Sequence, residues 1–359
     1  MKVLIVHCGK GIYGGAEEVI VQLAKHLRLN HYVLGVLKDV PYKMIKELNE
    51  AGIGAMSVHS YLEMYRLAHR VAKSQDVINV HNFPATLAPF PTNKPIVWMC
   101  NEPAELFTNW GRKPIEAFNR WWVKKSGMDV VVADQMNAHR FRRIYGVEPR
   151  IIPYGVDYGF WSRGERASSG DSLKMLQVGT ITPYKNQLRS ISILAELLLE
   201  GLDVTLTLAG GFTDTRYYNR LVNDCIPSHN NKAPGIRDRV EIMGQVSKEE
   251  VRRLYLRHNL LLHPVQGQGG WLVPFEAMCA GLPVIACPEF SASDIIQSNL
   301  LGLVSDNRGF TATRAILDRK YQRIDTERVR LWVKDNLNWE RFGEGMLGIF
   351  KEAINKKCF

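Results

Sequence analysis

The chain has 359 residues, 46% of them apolar, and a formal net charge of +10. This length suits about two domains with separate cores. No apolar run reaches the roughly 18 to 20 residues of a membrane helix, and the opening MKVLIVHCG is too short for a signal peptide. The six cysteines are scattered and form no CxxC pair, which argues against structural zinc. We therefore predict a globular, cytoplasmic chain with reduced cysteines.

The positive charge is concentrated in the first half of the sequence. Residues 1–150 contain 20 lysines and arginines against 13 aspartates and glutamates, whereas the remainder contains 26 against 23. A basic surface attracts anions, which include phosphorylated small molecules, anionic lipids and nucleic acids. Because charge is the one observation that favours nucleic acid, we do not expect it as a partner.

The chain opens with an apolar strand, a glycine-containing loop and an amphipathic helix. We predict the strand over Val3 to His7 and the helix from Ala16 to Leu27. Gly14 and Gly15 stand directly before this helix, where backbone N–H groups can approach an anion closely. The loop is neither a Walker loop nor a GxGxxG motif, so a glycine turn that only packs the helix on the sheet is an equal alternative.

Strands and helices alternate along the rest of the sequence. Residues 163–172 (RGERASSGDS) have the composition of a linker, and we place a domain boundary there. The second half begins like the first, with a strand at Met175 to Val178, a loop to Asn186 and a helix from Gln187 to Glu200. This alternation predicts α/β domains with parallel sheets. The other predicted strands are Val77–Val80, Ile96–Met99, Val130–Ala133, Val204–Ala209, Val240–Met243, Leu260–His263 and Pro283–Cys287.

Polar side chains follow several of these strands, at the sheet edge where open α/β sheets bind ligands. His81 follows one strand of the first half, and Asn101 and Glu102 follow the next. His81 is equally compatible with a buried core histidine, and Glu102 with a loop cap. In the second half, Lys185 stands just ahead of a helix, where it can neutralise a phosphate. Taken alone, it is more typical of a solvated helix start.

The stretch from Leu262 to Cys287 (LHPVQGQGGWLVPFEAMCAGLPVIAC) sets a glycine-rich loop between a strand and a short helix. Pro274 stands where the first turn of a helix tolerates a residue without an N–H. We expect Glu276 in the same first turn. Unpaired N–H groups at a helix start can hold a diphosphate, and a nearby carboxylate can accept hydrogen bonds from a ribose diol.

Four segments in order carry a family resemblance: GGAEEVIVQLAKHL, IIPYGVD, VGTITPYKNQ and QGGWLVPFEAMCAGLPVIA. Together they resemble the retaining glycosyltransferases of family four over nearly the whole chain. The resemblance implies the GT-B fold, an α/β architecture of two Rossmann-like domains facing each other across a cleft. It implies an acceptor-side domain at residues 1–160, a donor domain at 161–337, and a C-terminal helix, residues 338–359, that packs back on the first domain.

The resemblance also implies a role for individual residues. Glu276 would bond the ribose hydroxyls, the N–H groups of Leu272 and Val273 would meet the diphosphate, and Lys185 would offset its charge. The other implied donor-binding residues are Gly179 and Thr180 in the phosphate loop, Gly244 beside the nucleobase, and Gly14 with Gly15 from the opposing domain. Family members of this fold need no metal, in agreement with the lack of an Asp-x-Asp motif, and we expect no cofactor.

Three positions depart from the family pattern. Gln268 replaces the first glutamate of the usual pair, so the position keeps a hydrogen-bonding side chain but loses its negative charge. Thr180 stands where an arginine is common, which leaves Lys185 and helix N–H groups to stabilise the diphosphate, with Arg189 as a substitute. Asn101 stands where many members have a histidine, and it cannot titrate near neutral pH. Our catalytic candidates are Lys185, Asn101 and Gln268.

Residues 107–125 (FTNWGRKPIEAFNRWWVKK) interleave aromatic and basic side chains. Such a segment can lie on an anionic membrane, with aromatic rings at the headgroup level. An amphipathic helix whose aromatic side chains fill the core is an equally simple interpretation. Besides His81 and Glu102, we assign Trp110, Arg112, Trp121 and Trp122 to the acceptor or membrane side.

We therefore predict a metal-independent hexosyltransferase that uses a nucleoside diphosphate sugar and a glycan or lipid-linked acceptor. It would be cytoplasmic, or peripheral on the inner face of a membrane. Two alternatives remain open: a protein that binds a nucleotide sugar but has lost activity through Gln268, Thr180 and Asn101, and a sugar-nucleotide epimerase of the same fold.

Overall fold

A computed structural model describes residues 1–9, 11–101, 113–167, 172–225, 235–267, 270–306 and 311–358. The chain divides into two compact units, one formed by Met1–Gly155 with Leu337–Phe359 and the other by Val156–Asn336. Each unit contains one parallel sheet with helices packed on it. The prediction of an α/β protein with two Rossmann-like domains is confirmed.

The strands alternate with helices along both units. The strands are β1 (Lys2–Cys8), β2 (Tyr32–Lys38), β3 (Gly54–Val58), β4 (Val77–His81), β5 (Ile96–Met99), β6 (Asp129–Val132), β7 (Arg150–Ile151), β8 (Leu173–Val178), β9 (Val204–Ala209), β10 (Val240–Gly244), β11 (Leu260–His263), β12 (Val284–Ala286) and β13 (Leu303–Val304). The helices are α1 (Gly15–Arg28), α2 (Tyr42–Glu50), α3 (Tyr61–Ala72), α4 (Lys113–Ser126), α5 (Gln135–Tyr145), α6 (Tyr158–Trp161), α7 (Gln187–Leu199), α8 (Thr215–Asn219), α9 (Lys248–Arg257), α10 (Leu272–Cys279), α11 (Ser293–Ser298), α12 (Thr311–Leu317), α13 (Thr326–Asn336) and α14 (Trp339–Cys358).

In the first unit, the described strands pair in the order β3-β2-β1-β4-β5-β6-β7. Strand β1 lies in the interior of this sheet and is buried over six of its seven residues, because helices cover both faces of a parallel sheet. Its register on β4 pairs His7 with His81, and β4 in turn pairs His81 with Met99 of β5. The carboxyl ends of β1, β4 and β5 therefore meet at one edge of the sheet, and Asn101 follows directly after β5.

The last helix, α14, belongs to the first unit and packs against α1. His26 of α1 and Glu344 of α14 form a hydrogen bond of 3.0 Å. The approach is close, because a Cβ added to Gly343 would stand 2.3 Å from the His26 ring. The residues from 337 onward thus complete a unit that begins at residue 1.

In the second unit, the described strands pair in the order β10-β9-β8-β11-β12-β13. Strand β8 lies between β9 and β11, so the loops that follow β8 and β11 open at the same sheet edge. Arg166, from the polar segment 163–172, donates hydrogen bonds to the carbonyls of Tyr255 and His258. That part of the segment is therefore attached to the second unit, just before its first strand.

Candidate functional site

The loop after β8 places Lys185 at the carboxyl edge of the second sheet. A 3₁₀ turn at Pro183–Lys185 precedes α7, and the Gln177 side chain donates to the Lys185 carbonyl at 2.7 Å. The Lys185 side chain is buried, with the residue only 4% exposed. Burial lowers its pKa to about 8, and the nearby Glu276 carboxylate opposes this effect. Among the described residues, Lys185 forms no ion pair within 4.0 Å.

Glycines leave the space that the Lys185 ammonium occupies. A Cβ on Gly270, whose φ is +70°, would stand 2.1 Å from the Lys185 Nζ. A Cβ on Gly179 would stand 3.5 Å from the same atom, and one on Gly210 would stand 2.2 Å from the Gly179 carbonyl oxygen. The three glycines therefore let the loops after β8, β9 and β11 come together around one buried ammonium group.

His263, the last residue of β11, lies against the same glycine. A Cβ on Gly270 would stand 3.2 Å from the His263 ring. Within the part of the chain that the structure describes, both His263 ring nitrogens are buried without a hydrogen-bond partner. Burial and the Lys185 charge lower the pKa of His263 well below its ordinary value. The ring is therefore neutral, and the local positive charge resides on Lys185.

Helix α10 differs from the sequence prediction by its starting point. It begins at Leu272, so Pro274 lies in the first turn as expected, but Glu276 is its fifth residue and lies in the second turn. The expectation that Glu276 lies in the first turn is wrong, because the helix begins two residues before Pro274. Glu276 accepts a hydrogen bond from the Tyr255 hydroxyl of α9 at 3.3 Å.

The N–H groups at the start of α10 are not equivalent. The Val273 N–H donates to the Gly270 carbonyl at 3.3 Å, and Leu272 is 93% buried. Gln268, predicted to act beside them, lies outside the described residues. The candidate anion site thus rests on Lys185, with the first turn of α10 beside it.

Two other predicted donor residues lie at the same edge of the second sheet. Gly244 ends β10 with a φ of +68°, and no atom lies within 4 Å of where its Cβ would stand. The Thr180 carbonyl accepts a hydrogen bond from the Gln187 side chain at 3.1 Å. The Arg189 guanidinium forms an ion pair of 2.9 Å with Glu196, so it is not the free substitute for the missing arginine that we expected.

In the first unit, Glu17 fixes the glycine loop before α1. The Gly14 N–H donates to the Glu17 carboxylate at 2.9 Å, and His7 bonds to the other carboxylate oxygen at 3.1 Å. Although burial favours the neutral acid, the bonds from His7 and Gly14 hold the pKa of Glu17 below its ordinary value. Gly15 begins α1 directly after this contact.

His81 and Asn101 belong to one chain of hydrogen bonds at the same edge of the first sheet. His81 is fully buried and lies 2.6 Å from the Asn79 Oδ1 through its Nε2 and 3.0 Å from the Asn101 Nδ2 through its Nδ1. The Tyr154 hydroxyl donates to the Asn101 Oδ1 at 2.9 Å. Asn101 itself is partly exposed. His81 therefore has two hydrogen-bond partners in the protein. Asn101 is the partly exposed residue of this series of hydrogen bonds.

The aromatic residues of α4 divide between core and surface. Trp122 is 5% exposed and donates from its indole to the Thr86 carbonyl at 3.0 Å, so it belongs to the core rather than to a membrane-facing surface. Trp121 and Phe118 are 50% and 38% exposed, and they pack with the exposed Phe90. Glu102, Trp110 and Arg112, also predicted for this side, lie outside the described residues.

Sequence reasoning missed several partners of these residues. A signal for Glu17 was present, since it is the third residue after Gly14 and can reach back as in a capping box. Asn79, Tyr154 and Tyr255 carry no comparable local signal. Tyr154 lies 53 residues from Asn101, and Tyr255 lies 21 residues from Glu276. Only the folded chain brings these pairs together.

Neither a metal cluster nor a membrane helix was found in the described ranges. They contain no group of three or more histidine, cysteine, aspartate or glutamate side chains that could hold a metal ion. No helix in the same ranges combines the length and the apolar character that a membrane crossing requires.

The sequence is similar to known glycosyltransferases. A family profile described as glycosyl transferases group 1 matches residues 162–316. The chain is 25% identical over 221 residues to the lipopolysaccharide core biosynthesis mannosyltransferase LpcC of Rhizobium leguminosarum bv. viciae, covering 59% of each protein. It is 24% identical over 238 residues to the GDP-mannose-dependent alpha-(1-6)-phosphatidylinositol monomannoside mannosyltransferase of Mycobacterium tuberculosis, covering 60% of this chain and 59% of that protein. The chain thus spans about 59% of the length of these two relatives.

The fold has a close counterpart among solved structures. The crystal structure of Anabaena Alr3699/HepE in complex with UDP and glucose matches with a TM-score of 0.77. The match covers 98% of this chain and 100% of that one, at 16% identity. At that identity the likeness concerns the fold.

Proposed function

We propose that this chain, whose residues 162–316 match the group 1 glycosyltransferase profile and which has the GT-B fold, is a glycosyltransferase. It would transfer a sugar from a nucleoside diphosphate donor to a hydroxyl acceptor, with retention at the anomeric carbon. The observation that carries the proposal is the buried Lys185 ammonium. An organised positive charge in a buried pocket that glycines keep open suits a diphosphate, which gains negative charge as it leaves.

The reaction exchanges one bond at the anomeric carbon for another. The bond from that carbon to the diphosphate oxygen breaks, the acceptor oxygen forms the new bond, and the acceptor hydroxyl loses its proton. Lys185 and the first turn of α10 would stabilise the departing diphosphate, so that no metal is needed. Glu276, one turn further along α10, would accept hydrogen bonds from the ribose, and the Tyr255 hydroxyl would hold its carboxylate. We assign no side chain as nucleophile.

The remaining donor roles in the proposal follow the family resemblance. Gly179 and Thr180 would line the phosphate loop, and Gly244 would border the base in the open space beside it. Gly14 and Gly15, held by Glu17, would contact the donor through backbone N–H groups.

For the donor and acceptor, the names of the relatives supply the support. Both curated relatives are mannosyltransferases, one of lipopolysaccharide core and one of a phosphatidylinositol mannoside, and the solved counterpart holds UDP and glucose. We therefore propose a hexose donor and a glycan or lipid-linked acceptor. The exposed aromatic cluster of Phe90, Phe118 and Trp121 supports contact with a membrane that carries such an acceptor.

The decisive experiment measures nucleoside diphosphate release from UDP-, GDP- and ADP-hexoses, with and without candidate glycolipid acceptors. We expect acceptor-dependent release that persists in EDTA and falls by about 10² to 10³ in Lys185→Ala. Lys174→Ala is the matched control, since Lys174 lies exposed on β8 of the same unit, and it should retain full activity. The anomeric proton coupling of the product, measured by NMR, tests retention.

Other outcomes decide among the alternatives. Thermal stabilisation by a nucleotide without turnover would favour the binding protein that has lost activity. Conversion of the donor without any acceptor would favour the epimerase. If no nucleotide stabilises the protein, the proposed donor site is wrong.

A further inference from the structure

We infer that His81 and Tyr154 are positioning residues that lock the Asn101 side-chain amide in one orientation, so that a fixed N–H donor faces a substrate oxygen at the edge of the first sheet. This inference rests on the proposed function for the identity of the substrate. The orientation of the Asn101 amide is inferred from the chain of hydrogen bonds that runs from Asn79 to Tyr154.

The chain of hydrogen bonds begins at the Val97 carbonyl, which can only accept a hydrogen bond. The Val97 carbonyl lies 3.0 Å from the Asn79 Nδ2, so this amide nitrogen donates to it and the Asn79 oxygen faces His81. The distance from that oxygen to the His81 Nε2 is 2.6 Å. Since an amide oxygen accepts, the Nε2 of His81 must carry the proton. Asn79 and His81 are both fully buried.

The protonation of the His81 ring fixes the donor and acceptor roles of Asn101. Burial lowers the pKa of His81 well below its ordinary value, and the neighbouring His7 adds to this effect, so the ring is neutral. With its proton on Nε2, the ring presents a lone pair at Nδ1, which must accept from the Asn101 Nδ2 at 3.0 Å. The Asn101 oxygen then accepts from the Tyr154 hydroxyl at 2.9 Å.

A flipped Asn101 amide would lose both contacts with His81 and Tyr154 in their present form. Its oxygen would then face the lone pair of the His81 Nδ1, and two acceptors repel each other, whereas its nitrogen could still donate to the Tyr154 hydroxyl. Tyr154 is 5% exposed, and burial raises its pKa well above its ordinary value, so its hydroxyl keeps the proton that it donates to the Asn101 oxygen in the present orientation. The amide therefore has one stable orientation.

One N–H of Asn101 remains for a ligand. The two hydrogens of Nδ2 point in different directions, and His81 accepts only one of them. The second has no acceptor among the described residues. Asn101 is partly exposed at the end of β5, the kind of sheet edge where α/β proteins bind ligands. The group it can receive there is an acceptor oxygen, such as a sugar hydroxyl or a phosphate oxygen.

Other titratable groups surround this chain. His7 of β1 stands edge-on to His81, with ring centroids 6.4 Å apart, and it is itself bonded to Glu17 of α1. The charges that act on Tyr154 come from Cys100, after β5, and Asp134, before α5. Any pH effect assigned to His81 must therefore be measured on His81 directly.

The test combines NMR of the imidazole nitrogens with kinetics. In the wild type we expect His81 to be neutral at pH 7, with its proton on Nε2. In Asn101→Asp the carboxylate cannot donate to Nδ1, so His81 should take up a second proton and be an imidazolium at pH 7. A wild-type His81 that titrates near pH 6.5, or that carries its proton on Nδ1, would overturn the inference.

Kinetics separate positioning from general stability. Tyr154→Phe removes one hydroxyl from the chain and should lower kcat by up to about tenfold with little change in KM for the donor. Tyr145→Phe is the control, because Tyr145 is also a buried tyrosine of this unit. Its hydroxyl accepts from Asn119, which is not part of the hydrogen-bond chain of His81 and Asn101. Equal kcat in the two variants would refute the positioning role. If the wild type transfers no sugar, the proposed function fails, while the NMR result still decides the orientation.

Discussion

Replacing Lys185 with methionine should make the ligand-free protein more stable while weakening its hold on a nucleotide. Burial lowers the Lys185 pKa from 10.5 to about 8. Such a change corresponds to a cost of roughly 3 kcal/mol for keeping the ammonium charged inside the folded protein. Methionine has a similar length and carries no charge, so Lys185→Met should raise the free energy of unfolding near pH 7 by up to about 3 kcal/mol.

The sign of the pH dependence follows from the same pKa. Above pH 8 the folded protein releases the Lys185 proton, whereas an unfolded lysine keeps it until pH 10.5. The unfolded state then binds more protons, so the stability of the wild type rises with pH through this window. Lys185→Met lacks this rise. The advantage of the variant should therefore fall to less than half of its neutral value by about pH 9.5.

Urea unfolding of both proteins at pH 7.0 and 9.5, each with and without UDP, measures these quantities. Lys174→Met, at an exposed position on β8, is the control and should match the wild type at both pH values. At a UDP concentration of 100 times its dissociation constant, the wild type should gain about 2.7 kcal/mol, and Lys185→Met should gain less. A variant less stable than the wild type at pH 7, or a difference that does not change with pH, would refute the reasoning.

Two further predictions concern the glycine pocket and the exposed aromatic cluster. Gly270→Ala places a Cβ 2.1 Å from the Lys185 Nζ and should weaken UDP binding, measured by calorimetry, at least tenfold. Gly201→Ala is the control, because Gly201 has a similar positive φ of +79° but its Cβ would meet no atom within 4 Å. Equal UDP affinities of the two variants would contradict the steric argument. Trp121→Ser combined with Phe118→Ser should reduce flotation with anionic lipid vesicles several-fold. Leu331→Ser, at a position of comparable exposure (52%) in the second unit, should have no effect.

Most of the fold could be predicted from apolar runs, because a strand inside a parallel sheet is buried on both faces. Strands β1, β4 and β11 are buried and mostly apolar, and the predicted bounds lie within two residues of the observed ones. Strands β2 and β3 were not predicted. Gly35 interrupts the first, and the second is a partly exposed sheet-edge strand of small residues. Their places are set by pairing, of β2 with β1 and of β3 with β2.

The candidate site was predictable to the extent that its residues lie next to strand ends. Lys185 follows β8 by a few residues, and its burial could not be foreseen because it depends on glycines contributed by two other loops. Pro274 predicts a helix start close to it, but α10 begins at Leu272, which moves Glu276 into the second turn. The sequence places Asn101 just after β5, but it does not indicate that the side chain forms hydrogen bonds with His81 and Tyr154.

The return of α14 to the first unit has a consequence for the order in which the chain can fold during synthesis. All residues of the second unit, from Val156 to Asn336, have been made before α14 is translated. The first unit, although its sheet is encoded earlier, is incomplete until the residues of α14 are made, because only then can His26 meet Glu344 and Gly343. On the ribosome the later-encoded unit is therefore the first to be complete, and the face of α1 that α14 covers stays open until α14 has emerged.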